Sequence, residues 1–154
     1  MEAKRSRRTM SEEGRGPLDW RVIGAVGQIF EDRLDGLVSD LHYTPNAVNR
    51  QALVVELNAG IQAETGRFEI QWWEHHGYKY HYVEDGLEFR FGWERSASGL
   101  PEKHFHPPDA PGDHQPSCIR HEDPLLVTLA VIKCWLDAVR TGDPAVLNEQ
   151  DDPP

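Results

Sequence analysis

The residues best suited to chemistry fall in two short segments of the 154-residue chain. The first is Lys103-His104-Phe105-His106-Pro107-Pro108. In an extended chain His104 and His106 point to one side and Phe105 to the other. Two imidazoles on one side can bind a metal, or share acid and base roles near neutral pH. His114, Cys118 and His121 continue the segment as H-x-H-x7-H-x3-C-x2-H. All are metal-ligand types, but the spacing matches no closed zinc site, so no metal and no cofactor is assigned. The second segment carries Lys79 and His81 and, across a predicted hairpin, Arg90. Arginine's planar fork suits phosphate, and a nearby histidine could move the 2′-hydroxyl proton of RNA. Metal-free RNA cleavage needs only such a base, an acid and a cation for the phosphorane-like charge. The plainer alternatives are solvated loop histidines and a cross-strand contact between His81 and Arg90 that has no role. A phosphate-cradling glycine loop, GxSxG and CxxC are all absent.

The elements that must position these residues follow from periodicity. Asp85-Gly86 is a two-residue hairpin signal, with positive φ expected at both positions. It sets Tyr82 against Phe89, Tyr80 against Phe91 and Tyr78 against Trp93, three aromatic pairs on one face. A three-residue loop His75-His76-Gly77 places Trp72 near Tyr80 and Ile70 near Tyr82, with Phe68 on the same face. A two- or four-residue loop would turn that strand over. The opposite face then carries Glu69, Gln71, Trp73, Lys79, His81, Glu88 and Arg90. Trp20, Val22, Ile23, Val26, Ile29, Phe30 and Leu34 mark an amphipathic helix. Leu37–Tyr43 and Ala52–Leu57 read as strands. The stretch from Trp93 to Asp123 reads as a long proline-containing loop, which is either functional or unstructured. Asp123-Pro124 opens a second helix, with Leu125, Leu129, Ile132, Leu136 and Val139 as its stripe and Gly142 at its end. The fold class is therefore α+β: an antiparallel sheet of about five strands, an N-terminal helix, and a C-terminal helix packed on the aromatic face.

Length and charge bound the rest. One domain is expected over residues 17–142, with a flexible basic tail at 1–16 and an acidic disordered tail at 143–154. The formal charge is −10, from 26 acidic and 16 basic side chains. That argues against charge-driven binding of nucleic acid anywhere but a local basic site. No apolar run approaches the about 20 residues of a membrane span. The two cysteines, Cys118 and Cys134, read as reduced thiols of a cytoplasmic protein.

Together, Tyr78-Lys79-Tyr80-His81-Tyr82, Asp85-Gly86, Phe89-Arg90-Phe91 and His104-Phe105-His106 resemble the TumE family of toxin-antitoxin toxins over residues 67–140. The resemblance sets Arg90 on the family's arginine and His104 and His106 on its H-x-H. Where the family has Asp-Asn, this chain has Gly92-Trp93. The resemblance implies a cytoplasmic growth-inhibiting toxin, restrained by an antitoxin of helix-turn-helix type, with RNA as its target. The expected activity is a metal-independent endoribonuclease. Its catalytic residues would be His81, Arg90, His104 and His106, with Lys79 and Lys103 binding substrate. The competing expectation is a non-catalytic binding or accessory module.

Overall fold

The aromatic pairs dominate the fold. In the computed structural model, which describes residues 15–94 and 102–153, they lie at the centre of one antiparallel sheet whose strands follow in chain order. The strands are β1 (Val38–Pro45), β2 (Arg50–Leu57), β3 (Gly66–Trp72), β4 (Tyr78–Glu84), β5 (Leu87–Trp93), β6 (Lys103–His106) and β7 (Gln115–Pro116). Helix α1 (Trp20–Arg33) precedes the sheet and α2 (Pro124–Thr141) follows it. Tyr82 pairs with Phe89, Tyr80 with Phe91 and Tyr78 with Trp93, as expected. In the Asp85-Gly86 turn only Gly86 takes positive φ, at 81°, so Asp85 stays in ordinary backbone space.

The β3–β4 register differs from expectation by one pair. Phe68 faces Tyr82, Ile70 faces Tyr80 and Trp72 faces Tyr78. The loop is Glu74-His75-His76, closed by Trp73 N–H on Gly77 O at 3.0 Å, with His76 and Gly77 both at positive φ. The loop starts one residue earlier than expected. That moves every partner by two and leaves each side chain on its expected face, because side chains alternate with period two.

Two further corrections concern the segments with little periodicity. The Trp93–Asp123 stretch contains β6 and β7, so the sheet has seven strands rather than about five. Strands of four and two residues are too short for alternation to stand out, but β6 buries Phe105 against Phe91 with ring centroids 4.8 Å apart. The C-terminal segment, expected to be disordered, forms a short 3₁₀ helix over Pro144–Asn148 and buries Leu147 completely. Residues 1–14 of the expected basic tail lie outside the described residues.

Both helices cover the aromatic face. Asp19 caps α1 by accepting from Val22 N–H, and Ile23, Val26 and Phe30 are fully buried. Phe30 meets Phe68 at 5.4 Å, and Trp135 of α2 meets Phe68 at 6.3 Å and Tyr82 at 6.2 Å. The buried side of α2 is Val127, Thr128, Ala130, Val131, Ile132, Cys134, Trp135 and Ala138; of the expected stripe Ile132 is buried, Leu129, Leu136 and Val139 are half-buried, and Leu125 is 48% exposed. α2 is apolar around most of its girth, so periodicity allows several stripes. A hydrogen-bond chain selects one. Trp72 Nε1 donates to Tyr80 Oη (2.8 Å), whose hydroxyl meets Thr128 Oγ1 (2.6 Å), which donates to Pro124 O (2.7 Å).

One buried charge ties the far end of the sheet. Glu84, 6% exposed, accepts from the backbone N–H groups of Ile61, Gln62 and Ala63 and from Tyr82 Oη, all at 2.6–2.9 Å. It thereby fixes the β2–β3 connection. Each carboxylate oxygen serves two donors, at least one of them a backbone N–H, so in Glu84→Gln the amide N–H₂ meets a group that can only donate whichever way it is turned. Hydrogen bonds to charged groups contribute about 1.5–3 kcal/mol each. Glu84→Gln should therefore lower the unfolding free energy by about 2–3 kcal/mol in urea titration, and a loss below about 0.5 kcal/mol would refute the clamp.

Candidate functional site

The residues that alternate with the buried aromatics share the other face of the sheet. His81 of β4 pairs with Arg90 of β5, and Arg90 pairs with His106 of β6, so three strands set these side chains in one row. Lys79, Gly92 and His104 form the adjoining row. β6 thus folds back along β5 and carries both histidines of the H-x-H segment to the arginine.

Arg90 Nη2 lies 2.8 Å from His106 Nε2. A guanidinium only donates, so Nε2 accepts and the imidazole proton sits on Nδ1, which donates to Pro111 O at 3.2 Å. Burial holds the His106 pKa below its ordinary value, and the positive charge of Arg90 and the neighbouring His104 lower it further. His104 meets His106 edge-on at 5.2 Å and is only 8% exposed. Its position depends on Gly92. A Cβ there would stand 2.7 Å from His104 Nε2, so a side chain at 92 requires this imidazole to shift from its place. His81 Nε2 is bonded to Glu88 at 2.8 Å.

Lys79, Arg90 and His104 line one cavity of about 190 Å³, with Trp73, Arg15 and Glu94 around it. Burial lowers the Lys79 pKa, with Arg90 and Arg15 adding to the effect and Glu94 and Glu69 opposing it. Glu94 is the only acid in the lining among the described residues, so the cavity favours an anion. Lys103 is not part of this group. Its Nζ is bonded to Glu122 at 2.6 Å and lies over the Trp93 ring, on the aromatic side of β6.

Arg15 and Glu94 have no counterpart in the sequence reading. Arg15 falls within the expected basic tail, but residues 15–19 run along the end of β3. His75 N–H bonds Arg15 O, Glu74 N–H bonds Pro17 O, and Asp19 N–H bonds Trp72 O. Arg15 then lies over the Trp73 ring, 4.1 Å from its centroid, and 3.7 Å from Glu94. No local pattern announces such a contact. Trp73 was legible as the tryptophan on the polar face.

Among the described residues, Asp40, His42 and Glu56 can bring three ligand atoms close enough for one metal ion. Asp40 and His42 are exposed on β1 and Glu56 is half-buried on β2, in a different part of the sheet. No helix of the described residues is long and apolar enough to cross a membrane.

The described residues form an α+β fold with two long helices on one sheet face and cations and histidines on the other, and the chain belongs with the toxins of toxin-antitoxin systems, for a family model described as Toxin TumE matches residues 28–136. The match runs from α1 to α2 and spans most of the chain. The protein belongs to the TumE family. No curated protein matches it, and no solved structure does.

The Arg90–His106 contact is open to direct test. The folded protein favours neutral His106, so this group's contribution to stability is whole above about pH 6.5 and is lost as pH falls through the lowered folded value. By NMR, His106 should titrate below its ordinary 6.5. In Arg90→Met its midpoint should rise while staying below 6.5, because burial remains. An unchanged midpoint would show that Arg90 does not act on it.

Proposed function

We propose that the protein is a metal-independent endoribonuclease that acts as the toxin in the cytoplasm, and we assign it an antitoxin of helix-turn-helix type. The observation that supports this reading best is the meeting of Lys79, Arg90 and His104 at one cavity, with His106 bonded to Arg90. RNA supplies its own nucleophile in the 2′-hydroxyl, so the protein must provide only proton transfer and charge.

In this reading Arg90 turns its donors from His106 to a backbone phosphate and binds it in the forked geometry that guanidinium favours. His106, held neutral, takes the 2′-hydroxyl proton at Nε2. The 2′-oxygen attacks phosphorus while Arg90 and Lys79 offset the charge that develops on the non-bridging oxygens. His104 gives a proton to the 5′-oxygen as its bond to phosphorus breaks. The products are a 2′,3′-cyclic phosphate and a 5′-hydroxyl. His81, oriented by Glu88, flanks Arg90 on its other side and takes part in substrate positioning.

Gly92 has a defined place in this scheme. The family pattern has an aspartate at this position, and an aspartate here would displace the His104 imidazole from its present place. Glycine leaves the imidazole beside Lys79 and Arg90, so the departure alters the site without emptying it of acid-base groups.

Purified protein should cleave single-stranded RNA in the presence of EDTA and leave cyclic-phosphate ends. Arg90→Ala and His104→Ala should each reduce the rate at least about a hundredfold, the usual scale for losing one acid-base or charge-stabilising group. Their circular dichroism and melting should stay near those of the parent. Gly92→Ala should resemble His104→Ala in rate, because it displaces the same ring. RNA left intact both with EDTA and with added divalent ions would refute the proposal.

A further inference from the structure

The cavity has an aromatic wall that the cleavage chemistry does not use. Trp73 lies just beyond the end of β3 on the polar face, next to the row of Lys79 and His104, and is half-buried. The other tryptophans of the sheet, Trp72 and Trp93, are buried at 4% and 7% exposure. A large aromatic ring among cations, left out of the core, is the side chain that stacks bases in single-stranded nucleic-acid sites, where every base offers a π-face.

The face of Trp73 is covered by a group that is loosely held. Arg15 lies 4.1 Å above it, yet its contact with Glu94 is long at 3.7 Å. Its Nε is buried and has no hydrogen-bond acceptor among the described residues. A buried donor without an acceptor is costly, so Arg15 has little to lose by moving to an anion. Base stacking on tryptophan generally outweighs a partly solvated cation–π contact, so a base can replace the guanidinium on the ring.

We propose that Trp73 is the platform for the nucleobase beside the phosphate held by Lys79 and Arg90, and that the substrate is therefore single-stranded RNA. This rests on the RNA reading of the same cavity. The base occupies the ring face now covered by Arg15, and Arg15 turns its freed Nε toward the phosphate. Binding is then sequence-tolerant and selective for strands whose bases are unpaired. A duplex buries the faces of its bases in its own stack and cannot lay one on Trp73.

The test uses 2′-O-methyl RNA, in which the blocked hydroxyl prevents cleavage, so the parent protein can be titrated as it is. A single-stranded decamer, its abasic counterpart with the same number of phosphates, and the same decamer as a duplex are compared at fixed salt. The decamer should bind at least tenfold tighter than the other two and should quench tryptophan fluorescence. Trp73→Ala should remove the tenfold preference over the abasic strand, and Trp73→Phe should retain most of it. Equal affinity for normal and abasic strands would overturn the platform, even if RNA is cleaved. A base preference that depends on Trp73, with no cleavage of ordinary RNA, would uphold the platform and overturn the nuclease.

Discussion

The registration of aromatic side chains across β3, β4, β5 and β6 is the constraint on which the structure depends. Phe68, Tyr82, Phe89 and Phe105 touch in sequence, at centroid separations of 5.0, 5.0 and 6.0 Å, beneath Trp135 of α2. A slip of one residue in any pairing would turn these rings to solvent and carry charged side chains into the core. That cost fixes the register. Because a strand's side chains alternate, the same register fixes what stands on the other face. His81, Arg90 and His106 share a row because Tyr80, Tyr82, Phe89, Phe91 and Phe105 are buried.

Several small features protect this arrangement. Gly66 leaves space for Tyr82 Oη, which would lie 2.1 Å from a Cβ at that position, and so lets the hydroxyl reach Glu84. Gly27 lets α1 lie close to Leu53, where an added Cβ would meet the leucine at 3.2 Å. Thr128 ties α2 to Tyr80 while satisfying Pro124 O at the helix start. The polar face is thus carried by regular, hydrogen-bonded strands, and positions on such elements are held more firmly than positions on loops.

The overall charge of −10 and the anion-favouring cavity are compatible because they act at different distances. Net charge sets the far field, which salt screens within about 10 Å at 0.1 M. Inside a recess of about 190 Å³, Lys79, Arg90 and Arg15 face a single acid among the described residues, and local charge decides what binds. An acidic exterior also discourages indiscriminate attachment to nucleic acid, which leaves recognition to the recess itself.

The sequence alone determined the fold class, the three aromatic pairs, the side of the sheet on which Lys79, His81 and Arg90 stand, and both helices. Each of these follows from short-range periodicity and from a turn whose length is set by adjacent residues. It did not determine β6 and β7, where four and two residues give no period to read, nor the buried stripe of α2, where apolar residues allow more than one. The meeting of His104 and His106 with Arg90 was legible only as a condition, that the chain after Trp93 returns along β5. Tertiary structure met that condition by burying Phe105 on Phe91. It also sent Lys103 to Glu122 and brought Arg15 onto Trp73, contacts between residues 19 and 58 positions apart. Such contacts are chosen by the packing of the whole chain, and no window of neighbouring residues encodes them.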